Sequence, residues 1–365
     1  MTTSKSSLFR RELLLLVIPS FLFLTAITVG QAQALPDISR PSESGEIGNL
    51  GDGTLEENQF PPRGRNNSDW EILSSEVDKV YASGDKLYFT LLGSGDLYTR
   101  YTTGFYSKIS GPALAFACSD FFLWKAAATP DGTGILWYSR RPDNVHQWAT
   151  IQYADVENLY SGGNTERFIY TEPDTGAAYE CIGDFVNWDD PWRCYPLGEP
   201  RAAKIAVGGS TYCLDDDLGN IWKLGYPPGP DGGYWEPYAG AAADIAVGTS
   251  GSLNTIITSI LFSISPDRTK VVRGIREDIT FDLPTGRLNR INKISAGYNI
   301  VVVLIGEEVW MLLDGQTQWA NITDGLKVKE VFAAGNGWGV YKQAVYCLTT
   351  DNTLYRYVGI YAGGW

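Results

Sequence analysis

Four tryptophans stand in turn-like stretches beside polar groups that could grip a sugar. They are Trp148 after Gln147, Trp192 before Arg193, Trp235 before Glu236, and Trp319 after Gln318, with Asn321 two residues on. An indole face stacks on the C–H face of a pyranose, and adjacent amide, guanidinium and carboxylate groups bond its hydroxyls. The expectation is a set of shallow carbohydrate-binding sites built from Trp148, Trp192, Trp235, Trp319, Arg193, Glu236 and Asn321. A competing reading packs the same rings between structural repeats as core.

Other chemistry is thin. The runs Asp189-Asp190 and Asp215-Asp216-Asp217 could offer oxygens to Ca²⁺, which takes six to eight of them, but they read equally as solvated turns. Paired carboxylates could serve a glycosidase, yet with 42 acidic residues a pair decides nothing without geometry. The one histidine, His146, follows Pro142-Asp143-Asn144 in a turn. Nucleophile-elbow, phosphate-loop and Cys-x-x-Cys motifs are all missing. No cofactor, no metal site and no enzymatic activity are expected. Of the five cysteines, Cys181 and Cys194 are the best candidates for a disulfide, on consecutive strands across a turn. Cys213 and Cys347 occupy the same place in a repeat and read as small buried apolar groups.

Composition narrows the partner. Lys plus Arg number 29 against 42 Asp plus Glu, a formal charge of −13. Such a surface repels phosphate, so nucleic acid is not an expected partner. Aromatic residues make up 13% and charged residues only 19%, which excludes a disordered chain and a coiled coil.

The elements that would position these residues begin after a targeting segment. Lys5, Arg10 and Arg11 precede an apolar run from Leu13 to Gly30, and Ala32-Gln33-Ala34 has the small-x-small form of a cleavage site. Residues 1–34 read as a secretory signal peptide, with an uncleaved membrane anchor as the rival. Cleavage would remove three bases and one acid and leave −15, a chain secreted to the extracellular space with no membrane attachment. Residues 35–69, rich in Pro, Ser, Gly and Glu, read as a flexible acidic linker.

From Trp70 onward one unit recurs: an apolar pair, a small residue, a glycine, a Tyr- or Leu-bearing strand, a turn, and an apolar-aromatic strand. The clearest copies are Ile205-Ala206-Val207-Gly208 leading to Ile221-Trp222, and Val331-Phe332-Ala333-Ala334-Gly335 leading to Leu354-Tyr355. Starts near positions 80, 114, 159, 205, 245, 294 and 331 give a spacing of (331 − 80)/6, about 42 residues. That is the size of one four-stranded propeller blade. The expected fold is all-β, a β-propeller over residues 70–365 with four-stranded antiparallel blades, seven preferred and six possible. The first and last segments should share a blade, because a ring that closes leaves no exposed terminal repeat.

The stretches Trp319-Ala320-Asn321-Ile322, Val331 to Gly335, Leu354-Tyr355-Arg356-Tyr357 and Gly364-Trp365 resemble tectonin-type β-propeller lectins. The resemblance covers residues 70–365 as a rhythm, carried best by the fourth and seventh copies. It implies a carbohydrate-binding protein, with glycans or glycoproteins as partners. The repeated Arg/Glu/Trp set of fucose-binding propellers is not visible, so no sugar is implied. Readings that remain open are an extracellular protein-interaction scaffold or effector, and a glycan-active hydrolase.

Overall fold

Among the described residues, the apolar runs and their Gly and Asp turns become 28 short strands in the computed structural model. It describes residues 69–84, 86–100, 106–129, 134–139, 148–163, 165–183, 192–226, 232–250, 258–274, 280–282, 290–335 and 343–359. The expected signal peptide at 1–34 and linker up to residue 68 lie outside the described residues, as do His146, Asp189 and Asp190.

Strand β1 is Trp70–Ser74. Blade 1 follows as β2 (Val77–Ser83), β3 (Lys86–Leu91), β4 (Leu97–Arg100) and β5 (Tyr106–Ser110). Blade 2 is β6 (Ala115–Cys118), β7 (Leu123–Ala128), β8 (Gly134–Ser139) and β9 (Ala149–Ala154). Blade 3 is β10 (Asn158–Tyr160), β11 (Arg167–Thr171), β12 (Ala178–Ile182) and β13 (Arg193–Pro196). Blade 4 is β14 (Ala202–Val207), β15 (Thr211–Asp215), β16 (Asn220–Gly225) and β17 (Tyr234–Ala241). Blade 5 is β18 (Asp244–Ser250), β19 (Thr258–Ile264), β20 (Lys270–Arg273) and β21 (Thr280–Asp282). Blade 6 is β22 (Ile291–Gly297), β23 (Ile300–Ile305), β24 (Glu308–Leu313) and β25 (Ala320–Asn321). Blade 7 has β26 (Val328–Ala334), β27 (Ala344–Thr349) and β28 (Leu354–Tyr357), and takes β1 as its fourth strand. This is a seven-bladed propeller of antiparallel sheets, closed by pairing Trp70 with Tyr357 and Glu71 with Arg356.

Burial explains which sequence becomes which strand. Second strands are covered on both faces by neighbouring blades, so β23 (IVVVLI) and β27 (AVYCLT) are buried at every position. Fourth strands lie at the rim, and β9 and β25 have no buried position. The seven hydrophobic clusters correspond one to one with the seven blade junctions. Closure therefore leaves no blade face without a partner.

The repeat marker has a physical cause. Val80, Leu159, Ile205, Ile245, Ile294 and Val331 lie on innermost strands and pack in the clusters shared with the preceding blade. In blade 2 that place is taken by Phe116, while Leu114, where the copy was expected to start, is exposed. Three residues after each of these anchors stands a small one: Ser83, Ser119, Gly162, Gly208, Gly248, Gly297 or Ala334. Adjacent inner strands come closest there. A Cβ on Gly248 would lie 2.7 Å from the carbonyl oxygen of Gly297, and one on Gly297 would lie 2.5 Å from that of Ala334. Inside this ring runs a central channel of about 250 Å³.

Candidate functional site

The four expected tryptophans mark one structural position. Trp148, Trp192 and Trp319 immediately precede the fourth strand of their blades, and Trp235 is the second residue of β17. Each packs toward the preceding blade. Trp70 holds the same place in blade 7 and Tyr106 in blade 1. In three cases the ring clasps a backbone carbonyl of that neighbour. Trp70 Nε1 donates to Ile322 O at 2.5 Å, Trp148 Nε1 to Ile109 O at 3.3 Å, and Tyr106 Oη to Leu73 O. Trp235 is buried, whereas Trp148, Trp192 and Trp319 keep partly exposed edges. Protein groups occupy much of their ring surface. Lys125 Nζ sits 4.2 Å from the Trp148 ring, and Trp192 meets Phe122, Trp124, Tyr138 and Phe168.

A different recurring set emerges at the junctions. At the junction of blades 3 and 4, Glu180 Oε1 accepts from Arg167 at 3.2 Å and from the Tyr226 hydroxyl at 2.6 Å. The Arg167 guanidinium lies 5.2 Å from the centre of the Tyr226 ring, and Tyr226 is 47% exposed. Burial holds the Glu180 carboxyl above its usual range, against the lowering pull of Arg167. At the junction of blades 5 and 6, Arg273 pairs with Asp314 at 2.7 Å beside Phe262 and Phe281. These groups line a slot of about 20 Å³, and the Trp319 ring meets Phe281 edge-on. At the junction of blades 7 and 1, Glu71 is shared by Arg356 and Arg100, and Arg100 lies 5.7 Å from the centre of the Tyr106 ring.

Each set thus joins a carboxylate, a guanidinium and an aromatic ring from neighbouring blades. All three sit on the face carrying the first-to-second and third-to-fourth strand connections. Arg167 opens β11, Arg273 closes β20 and Arg100 closes β4. The sequence reading missed these sets, because each carboxylate lies 13 to 285 residues from its guanidinium. Strand register supplies the signal that could have found them. Glu180 opposite Ile169, Arg273 opposite Phe262 and Arg356 opposite Tyr346 hold equivalent third-strand positions.

The remaining expected residues are dispersed. Arg193 is exposed at the start of β13, on the side facing blade 4. Glu236 is exposed and accepts from the Tyr234 hydroxyl at 2.6 Å; Tyr234 is itself 44% exposed. Asn321 bonds Glu308, which also accepts from Trp310 Nε1. Cys181 and Cys194 form the expected disulfide between β12 and β13. Cys213 and Cys347 are buried free thiols at equivalent register positions; burial, with help from Asp215, pushes the Cys213 thiol up to about 12. Asp215 organises its own turn, accepting from Leu218 N, Asn220 N and Trp222 Nε1. Among the described residues no cluster of three His, Cys, Asp or Glu side chains could hold a metal, and no helix is long and apolar enough to cross a membrane.

No protein-family model matches the chain, and no curated protein matches it. Solved structures do. The BP39L lectin of Burkholderia pseudomallei aligns over 80% of this chain and 98% of its own, at TM-score 0.52 and 14% identity. A streptogramin B lyase aligns over 78% and 94%, at TM-score 0.51 and 14% identity. The Cps50 (Swd1) β-propeller domain of Myceliophteria thermophila aligns over 77% and 96%, at TM-score 0.50 and 13% identity. Likenesses at such identities show that this chain has the β-propeller fold in common with proteins of diverse function.

Proposed function

We propose that the protein is a secreted carbohydrate-binding protein, with shallow sites at its blade junctions. The observation that carries this reading is the recurrence of a carboxylate, a guanidinium and an aromatic ring at the junctions of blades 3–4, 5–6 and 7–1. At 5–6 and 7–1 the carboxylate reaches solvent and accepts from one sugar hydroxyl, a guanidinium donates to the next, and a ring covers the apolar face between them; at 3–4 the buried Glu180 instead holds Arg167 and Tyr226 in place. The partly exposed edges of Trp148, Trp192 and Trp319, with Arg193, Glu236 and Asn321, widen the polar and aromatic surface on offer. One structural relative carries the name of lectin. Sites spread around a rigid ring suit a glycan surface, where several weak contacts act through avidity.

The test is a glycan array with the purified chain, followed by Arg273→Ala and Tyr226→Ala. Binding to a defined sugar class, competed by free sugar and reduced about tenfold by either substitution, supports the reading. A folded protein that retains no glycan on the array would sink it.

A further inference from the structure

The repeat singles out one residue of blade 2. In every blade the anchor of the innermost strand faces one residue of the second strand. In six blades that residue is Phe89, Tyr170, Cys213, Ser263, Val303 or Cys347, uncharged and buried in each case. In blade 2 the anchor Phe116 faces Lys125. A cation thus stands where the other blades keep an uncharged core group.

Its surroundings hold no counter-charge. Lys125 Nζ donates to Ser110 Oγ of blade 1 at 2.9 Å and lies 4.2 and 5.7 Å from the centres of the Trp148 and Trp137 rings. Among the described residues no carboxylate acts on it, and loss of hydration alone lowers its pKa. Lys108, Lys204 and Lys293 each have an acid, in Asp96, Asp244 and Glu330. An ammonium carries three N–H donors, and Ser110 accepts one. The indoles attract the charge through their faces but offer no oxygen to the other two. Lys125, Trp137 and Trp148 are all partly exposed, so the group is within reach of a ligand.

Resting on the carbohydrate reading above, we propose that the junction of blades 1 and 2 binds a sugar that carries a carboxylate, with the carboxylate on Lys125 Nζ and the C–H face of the sugar against the indoles. A neutral sugar leaves the half-desolvated ammonium unmatched. A dense polyanion is repelled by a chain of formal charge −13. The fitting ligand is a glycan end with a single acidic residue.

Titration calorimetry on the full chain tests this with a disaccharide carrying one glucuronate, its methyl ester, and acetate. The acid should bind about tenfold more tightly than the ester. Raising the salt from about 0.01 to 0.1 M, which shortens the Debye length from ~30 to ~10 Å, should weaken the acid and leave the ester unchanged. Lys125→Met keeps the length of the side chain without its charge and should erase the preference, whereas Lys125→Arg should keep part of it. Circular dichroism checks the fold of both variants. In the unaltered chain the acid should also slow acylation of Lys125 by an amine-reactive ester, read by peptide mass spectrometry, so the proposal is decided even if neither variant folds. Equal binding of acid and ester overturns it, as does a preference that survives Lys125→Met in a folded protein, or acylation that the acid does not slow. Acetate binding as tightly as the disaccharide overturns it too, because the sugar then contributes nothing. Neutral glycans that bind through Arg273 or Tyr226 while the acid shows no preference would end this proposal and leave the carbohydrate reading standing. Absence of binding by any sugar ends both.

Discussion

Replacing Trp70 tests whether the ring depends on its closing strand. The indole is 3% exposed and sits in the cluster between blades 6 and 7 with Ile322, Val328 and Val331. A buried tryptophan removes about 150–250 Å² from water, worth roughly 4–6 kcal/mol at ~25 cal/mol per Å². Its Nε1 bond to Ile322 O contributes about 1 kcal/mol more. Alanine keeps part of the apolar area, so Trp70→Ala should cost about 4 kcal/mol. Trp70→Phe keeps the ring but strands the Ile322 carbonyl, a loss of about 1–3 kcal/mol. Trp148→Ala, at a partly exposed position with a longer bond, should cost less than Trp70→Ala. Urea unfolding followed by far-ultraviolet circular dichroism reads all three, provided the slope with denaturant stays constant. A Trp70→Ala cost under about 1 kcal/mol, or a larger cost for Trp148→Ala, would refute the closure argument.

Further predictions concern the same framework. Burial raises the Glu71 carboxyl, but Arg356 and Arg100 outweigh it and hold it below 4.5. Its contribution should be complete above pH 4.5 and fade as pH falls through the lower folded value, so the melting-temperature gap between the protein and Glu71→Gln should close on acidification. Reducing the Cys181–Cys194 bridge, whose cysteines are 13 residues apart, should cost about 3 kcal/mol in a thermal melt with and without reductant. Gly297→Val should drive its side chain into the Ala334 carbonyl and give a poorly soluble or unfolded chain; a normal melt would contradict the close approach.

Much of the architecture was legible because each blade must place an anchor against its neighbour and a small residue three positions later. That local demand wrote the period into Ile205 to Gly208 and Ile245 to Gly248. The disulfide was legible for a similar reason, since Cys181 and Cys194 face each other across one hairpin. Blade 2 blurred the phase because Phe116 replaced the aliphatic anchor. The junction sets stayed hidden because they join residues on different blades. Arg273 meets Asp314 41 residues on, and Glu71 meets Arg356 285 residues on. Residue type does not flag them either, since a glutamate in blade 3 and an arginine in blade 5 hold the same position. The tryptophans drew attention by type, and in the structure each packs toward the preceding blade.

Closure through β1 also sets an order of events. Trp70 to Ser74 is the first strand of the ring to be synthesised, yet its partner β28 follows 284 residues after Trp70, at Leu354. At about 5–20 residues per second, roughly 15–60 s pass before the two can pair. During that interval six blades can form their own hairpins while the seventh has its rim strand but none of the three inner strands that complete it. The nascent chain must carry an unpaired, apolar-tipped strand for nearly the whole of its making, and the last step of folding is the return of its oldest strand.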